Sequence, residues 1–404
     1  MYRYLLTFAR WLLLGTLIGA IGGGIGALFA HSISYATDLR GGNGWLVWLL
    51  PLGGLISVGI YQLLRVYGAG TNQVLESVRS EKKVPVLLAP AIFLGTVISH
   101  LLGASAGREG AALQLGGGIA SFVGRLLRLN QGDRHILTLC GMSAFFSALF
   151  GTPLGAFVFA LEVVSVGTVN LAAVFPCVVA ALAAFLVSGA LGVVPERFDL
   201  PQLSGFELDT VWRVAIIAIV AAIVSMLFCR GLHYTERLFL KLFKNPYLRV
   251  AVGGTLILLL TLIFGTDYNG GGMEIVHGLF KGNSVGWEAF LLKLSFTCIT
   301  VAAGFKGGEI VPSFFIGSTL GFTLAAVVGI NPALGAAVGM IALFCGVTNC
   351  PLATLFLAVE LFDGQGILYF ALSVAIAFLL SGSASLYTAQ HLSFSKLFER
   401  SSRE

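Results

Sequence analysis

Long apolar stretches recur along the chain, and about twenty apolar residues are what a helix needs to cross roughly 30 Å of hydrocarbon. "WLLLGTLIGAIGGGIGALFA", "GWLVWLLPLGGLISVGIYQLL", "VNLAAVFPCVVAALAAFLVSGALGVV", "VAIIAIVAAIVSMLF", "GTLILLLTLIF" and the tract from Pro312 to Leu380 all read this way. With 57% hydrophobic and 11% charged residues, the chain lacks the polar surface that a soluble globule needs. An all-α polytopic membrane protein is expected. The runs at 153–165 and 351–363 are too short to cross at an ordinary tilt, and Gly or Pro sets them apart. They predict broken or re-entrant helices, tolerated where the freed backbone lines a polar cavity or is buried in protein.

The net charge of +5 sits largely in short loops and tails: "VRSEKK" at 78–83, Arg125, Arg128 and Arg134, "RLFLKLFKNPYLR" at 237–249, and Lys396, Arg400 and Arg403. By the positive-inside rule these face the cytoplasm, with both termini inside and the protein multi-pass in the plasma (inner) membrane. Arg3 and Arg10 precede an apolar run as in a signal peptide, but the run is long and continues into more membrane sequence, so a retained first helix is expected. Nothing resembles a folded basic domain, so no nucleic acid partner is expected. Six cysteines, at 140, 177, 229, 298, 345 and 350, lie mostly inside apolar runs without a CxxC pair. They read as packing residues, with no disulfide, metal or cofactor implied.

The sequence repeats itself. "PLGAFVFALE" at 153–162 aligns without a gap with "PLATLFLAVE" at 351–360, and "GREGAALQLGG" at 107–117 stands about as far upstream of the first as "GGEIVPSFFIG" at 307–317 does of the second. Two homologous halves are expected, 1–200 and 201–404, joined through "VPERFDLPQLSGFELD" at 194–209, with no soluble regulatory domain. Membrane repeats of this kind commonly pack in inverted orientation with the substrate site at their interface.

Gly-rich turns that open onto helices suit such an interface. The first N–H groups of a helix are unpaired and carry the positive end of its dipole, so several helix starts aimed at one point form an anion site. "GAGTN" at 68–72, "GREGA" at 107–111 and "GGEIVP" at 307–312 are three candidates. Arg108 and Glu109, at the second, are ionisable residues at membrane depth and mark a substrate or proton route, or else a buried structural pair. Residues 103–107 also spell G-x-S-x-G. A hydrolase elbow needs a strand before it, whereas a membrane helix precedes Ser105. An intramembrane serine protease pairing Ser105 with His135 is the remote alternative.

"GREGAALQLGG", "GTPLGAFVFALE", "GFKGGEIVPSFFIGSTLG" and the late Tyr387 in "SLYTAQ" together resemble the CLC family of anion channels and proton-coupled anion antiporters. The resemblance implies two inverted halves of tilted, broken helices and a homodimer in which each subunit has its own pore. It implies a gating and proton-carrying role for Glu109. The implied anion site comprises Gly70, Thr71 and Asn72 at the first loop, Arg108 and Gly110 around the gate, the amides of Glu309, Ile310 and Val311, and the hydroxyl of Tyr387.

Chloride-type members usually read GSGIP at the first anion loop, where this chain has "GAGTNQVLE", and usually carry an inner glutamate where this chain has Val163. Both departures, with "GFKGGE", resemble the fluoride branch, CLC-F. Val311 departs from that branch, which often has Thr there. The implied function is a proton-coupled antiporter exporting fluoride, with a chloride/proton antiporter or chloride channel of the same fold as the alternative. Glu162 and Glu360, at matching helix ends, read as structural. Glu309 beside Lys306 could be a local ion pair, and His100 reads as a packing residue.

Overall fold

The computed structural model describes residues 1–80, 82–201, 205–393 and 396. Arg400 and Arg403 of the basic tail, Glu81 of the first basic loop and positions 202–204 of the junction lie outside the described residues.

Helices in lipid gain little from apolar burial against one another, so close approach depends on small residues at their contacts. The first helix, α1 (Tyr2–Gly42), carries two glycine rows. Gly15, Gly19 and Gly23 face α8 (Val174–Ala190): a Cβ on Gly19 would lie 2.5 Å from Ala183 Cβ. Gly22 and Gly26 face α6 (Gln131–Phe150), where a Cβ would come within 2.8 Å and 2.7 Å of Ala144 and Ala148. At 1.5 Å per residue α1 would extend about 60 Å, roughly twice the hydrocarbon thickness, so a strong tilt or an overhang is required. Among the described residues, six helical segments are long and apolar enough to cross a membrane, α1 among them.

The core lies where α5 (Glu109–Leu126) packs on α6 and α13 (Ile310–Val328) packs on α14 (Pro332–Thr348). Residues 137–150 of α6 and 334–348 of α14 are buried without exception. Glycines let the backbones touch in both pairs. A Cβ on Gly141 would lie 2.2 Å from the Gly116 carbonyl oxygen, and one on Gly339 would lie 2.2 Å from that of Gly317. Neither backbone can yield as a flexible side chain would. Gly141→Ala is therefore expected to cost about 1–3 kcal/mol by overpacking and to lower the thermal midpoint in detergent. Gly24→Ala, with nothing within 4 Å of the added carbon, should leave it unchanged or raise it. Equal midpoints for the two variants would refute this account of the α5–α6 contact.

The expected broken helices are present. After α6 the chain turns at Gly151 (φ 68°) and restarts as α7 (Pro153–Glu162); after α14 it turns at Asn349 (φ 57°) and restarts as α15 (Pro351–Leu361). Proline opens both restarts, where its missing N–H is no loss. The end of each short helix caps the beginning of the other. Glu360 accepts from the amides of Leu154 and Gly155 at 2.9 and 2.7 Å, and Glu162 from those of Leu352 and Ala353 at 3.2 and 2.8 Å. A carboxylate at a helix N-terminus is offset by the dipole and by the orphan amides. This geometry accounts for the two repeated glutamates as structural groups.

The long tract 312–380 resolves into α13, α14, α15 and α16 (Ile367–Leu380). Before it come α9 (Leu208–Leu242), α10 (Pro246–Phe264), α11 (Met273–Phe280) and α12 (Ala289–Ala303). Between α1 and α5 lie α2 (Leu50–Leu63), α3 (Thr71–Arg79) and α4 (Leu88–Leu102). The described residues thus contain sixteen α-helices. One feature departs from an all-helical chain: Ser165–Val166 (β1) pairs in parallel with His391–Leu392 (β2), tying the end of the described chain to the residues after α7.

Candidate functional site

Each of the three glycine-led loops opens a helix: α3 starts after Gly70, α5 after Arg108 and α13 after Glu309. None of these capping residues spends a side chain on its own helix start, so first-turn amides remain for another acceptor. The α5 and α13 loops meet back to back. Gly107 N–H donates to Gly308 O and Gly308 N–H to Gly107 O, both at 2.7 Å. Glycine is required here: Gly307 has φ +152°, and a Cβ on Gly308 would lie 2.3 Å from the Gly110 nitrogen.

A cavity lies on either side of this bridge. The first, of about 420 Å³, is lined by Arg108, Glu109 and Val311 with Gly107, Arg40, His100 and Glu196. The second, of about 440 Å³, is lined by Gly70, Thr71, Asn72, Glu309 and Tyr387 with Gly307, Gln114 and Lys306. Val311 therefore faces away from Glu309, and the two residues belong to different cavities. Gly110 and Ile310 are buried and line neither. Both Glu309 and Glu109 lie within electrostatic reach of the Tyr387 hydroxyl.

Glu109 is 1% exposed. Its carboxylate turns back on its own helix start, accepting from the Arg108 amide at 3.0 Å and from Arg108 Nε at 3.3 Å. The guanidinium also reaches Leu149 O at 3.2 Å and Glu196 Oε1 at 3.1 Å. Arg108 thus both orients the loop and pairs elsewhere. Glu196, outside the membrane-spanning helices, is pushed up by burial, but the bond from His277 and the charge of Arg108 outweigh this and hold it below the usual carboxylate range.

On the other side of the bridge, Thr71 Oγ1 accepts from Gln114 Nε2 at 3.0 Å, which leaves the threonine proton free to be given away. The Tyr387 hydroxyl is buried and has no hydrogen-bond partner among the described residues. Its position is fixed from several sides. Leu386 N–H donates to Val347 O at 2.9 Å and Tyr387 N–H to Ser385 Oγ at 3.1 Å. Ala389, two residues on, is held through its amide by Asn72 Oδ1 at 3.1 Å and through its carbonyl by Arg79. Asn72 therefore ties the first anion loop to the tyrosine turn.

Other sequence expectations resolve differently. Ser105 is fully buried; its hydroxyl pairs with Thr297 Oγ1 at 3.1 Å, and no histidine is bonded to it, so the nucleophile reading fails. Lys306 does not pair with Glu309; its ammonium stands 4.2 Å from the centre of the Tyr61 ring. His100 is buried, bonded to Thr96 O at 3.0 Å, and also lines the first cavity. The six cysteines are free and buried. Sequence reasoning missed Gln114, Glu196 and His277. A lone glutamine within the apolar part of "GREGAALQLGG" was a signal for the first; no pattern marked the other two.

A polytopic helical scaffold with a buried carboxylate and uncommitted donors on opposite sides of a backbone bridge defines an ion-transporting membrane protein, not an enzyme. The chain belongs to the voltage gated chloride channel (CLC) family, whose profile matches residues 53–382. It is 36% identical over 398 residues to the chloride/fluoride channel protein of Pseudomonas syringae pv. tomato, covering 96% of this chain and 88% of that one. It is 24% identical over 384 residues to the H(+)/Cl(-) exchange transporter ClcA of Vibrio campbellii, covering 87% and 81%. The crystal structure of a CLC-type fluoride/proton antiporter superimposes with a TM-score of 0.91 at 31% identity, covering 95% of this chain and 98% of that one. A slow cyanobacterial Cl-/H+ antiporter shares the fold with a TM-score of 0.79 at 22% identity, covering 92% and 94%.

Proposed function

We propose that this protein is a proton-coupled antiporter that exports fluoride across the plasma (inner) membrane. In this reading it works as a homodimer with one pathway per subunit, both termini are cytoplasmic, and the halves 1–200 and 201–404 enclose the pathway. The observation that carries the reading is the pairing of a buried carboxylate at a helix start with two hydroxyls, Thr71 and Tyr387, that have protons to give across the glycine bridge.

The charged Glu109 takes the place of an anion at the start of α5. Protonation weakens it as an acceptor, so the neutral acid releases the donors that an incoming anion then engages. One side chain thereby alternates between proton and anion. Fluoride gives up a tightly held hydration shell and needs short, strong donors, which amides and small hydroxyls supply. The relatives described as a chloride/fluoride channel protein and a fluoride/proton antiporter support the same substrate. Val311, without the hydroxyl frequent in the fluoride branch, favours the second reading, a chloride/proton exchanger or chloride channel.

The substrate is tested by efflux from proteoliposomes followed with fluoride and chloride electrodes while pH is recorded. Fluoride should move much faster than chloride, and an imposed pH gradient should drive it uphill. Chloride efflux as fast as fluoride under matched gradients would leave the second reading in place. The donors are tested separately. Tyr387→Phe and Thr71→Val each remove one hydrogen bond to a charged acceptor, worth about 1.5–3 kcal/mol, so calorimetry should find anion affinity lowered about 10- to 100-fold in each. Unchanged affinity in both variants would assign binding to amides alone.

A further inference from the structure

We propose that Glu196 and His277 are positioning residues that set, through the shared guanidinium of Arg108, how firmly Glu109 is held at its helix start. The inference rests on reading Glu109 as the gate.

Glu196 belongs to the segment between α8 and α9, and this segment is strapped down on either side of Arg197. Glu196 N–H donates to Phe150 O at 3.0 Å, and Phe198 N–H to Leu361 O at 2.9 Å. Pro195 sits so close to Gly151 that a Cβ there would lie 2.5 Å from the proline ring. The strap places the Glu196 carboxylate between the Arg108 guanidinium and the His277 imidazole. Its Oε1 accepts from Arg108 Nη2 at 3.1 Å and its Oε2 faces His277 Nε2 at 2.9 Å. Arg108 in turn reaches Glu109 Oε1 at 3.3 Å. His277 stacks on Phe198 with ring centres 4.7 Å apart, and its side chain is 36% exposed, against 1% for Glu109. The imidazole is therefore the most exposed member of the chain, ahead of Arg108 at 18% and Glu196 at 15%.

Two carboxylates compete for one guanidinium. A neutral His277 can give Glu196 a hydrogen bond; a protonated one adds a full charge and draws the carboxylate toward itself. Arg108 is then less engaged by Glu196 and more by Glu109. Acidification at His277 thus tightens the hold on the charged gate and opposes premature release. The other charged or titratable groups facing this cluster are Asp38 and Arg40 from α1, His100 from α4, Asp267 from the loop before α11, and Glu274 on α11 itself. Arg197 adjoins Glu196 and Lys281 lies one turn beyond His277. All of these are unchanged by the substitutions below, so the comparison isolates the cluster.

The test is the rate of halide efflux from proteoliposomes as a function of pH. Glu196→Gln removes the competitor for Arg108 and should move the midpoint of the profile to lower pH by about 0.5–1 unit. His277→Phe keeps the stack on Phe198 but can never be charged, and should move the midpoint to higher pH. His277→Arg, always charged, should move it to lower pH. Misfolding of one variant leaves the sign comparison to the other two. Midpoints for Glu196→Gln and His277→Phe that shift in the same direction, or that coincide with wild type, would overturn the proposal. Wild-type fluoride efflux without proton movement would instead remove the exchange reading and leave this test standing, since a pathway merely gated by Glu109 shows the same opposed shifts.

Discussion

Replacing Glu109 by Gln is expected to abolish proton movement driven by an anion gradient. The amide keeps the shape of the protonated acid but cannot take up or give off a proton, so any coupling that passes through this side chain stops. Anion flux in the variant then shows whether the charged state is needed for exchange: it persists if a neutral residue leaves the pathway open, and collapses if the cycle must return through the carboxylate. Proton transport surviving at the wild-type rate would exclude Glu109 from the mechanism. Val163, buried where chloride exchangers usually carry a second carboxylate, offers no alternative titrating group at that place.

The second large effect concerns folding. Glu162→Ala removes the acceptor for two helix-start amides, those of Leu352 and Ala353. Leaving buried donors unmet costs about 1–3 kcal/mol each, so the thermal midpoint in detergent should drop by many degrees. Glu162→Gln keeps an oxygen acceptor and should lose much less, while proton coupling remains intact. The same ordering is expected at Glu360, whose partners are Leu154 and Gly155. If Glu162→Gln instead kept full stability and lost coupling, the residue would carry protons and would not be a cap.

The membrane class, the broken helices and the three helix starts were legible in the sequence because each rests on a local rule: apolar run length, a proline after a turn, glycines before a helix. The repeat was legible because "PLGAFVFALE" and "PLATLFLAVE" align without a gap. What each repeated glutamate does was not, since a cap donated by the other half of the chain has no local signature. The division of the site was hidden for the same reason. Glu309 and Val311 are two positions apart, yet a helix start turns them into different cavities. Arg108 meets Glu196 across 88 positions and Glu196 meets His277 across 81, contacts that only tertiary packing creates. Ser105 reads as a nucleophile in isolation and is a hydrogen-bonded core residue in context.

The partition between the two cavities is a pair of glycine backbones, Gly107 and Gly308, bonded to each other in both directions. If the two cavities open to opposite faces of the membrane, as the proposed exchange requires, water in them would conduct and the partition would not. In the proposed cycle, most of the membrane's voltage would then drop across this thin septum instead of across the full hydrocarbon thickness. An elementary charge crossing the whole field is worth about 2.3 kcal/mol per 100 mV. A carboxylate or halide displaced past these two residues would take up most of that work in one short movement, and the electrical sensitivity of such a cycle would be concentrated at the septum and nearly absent from the vestibules on either side.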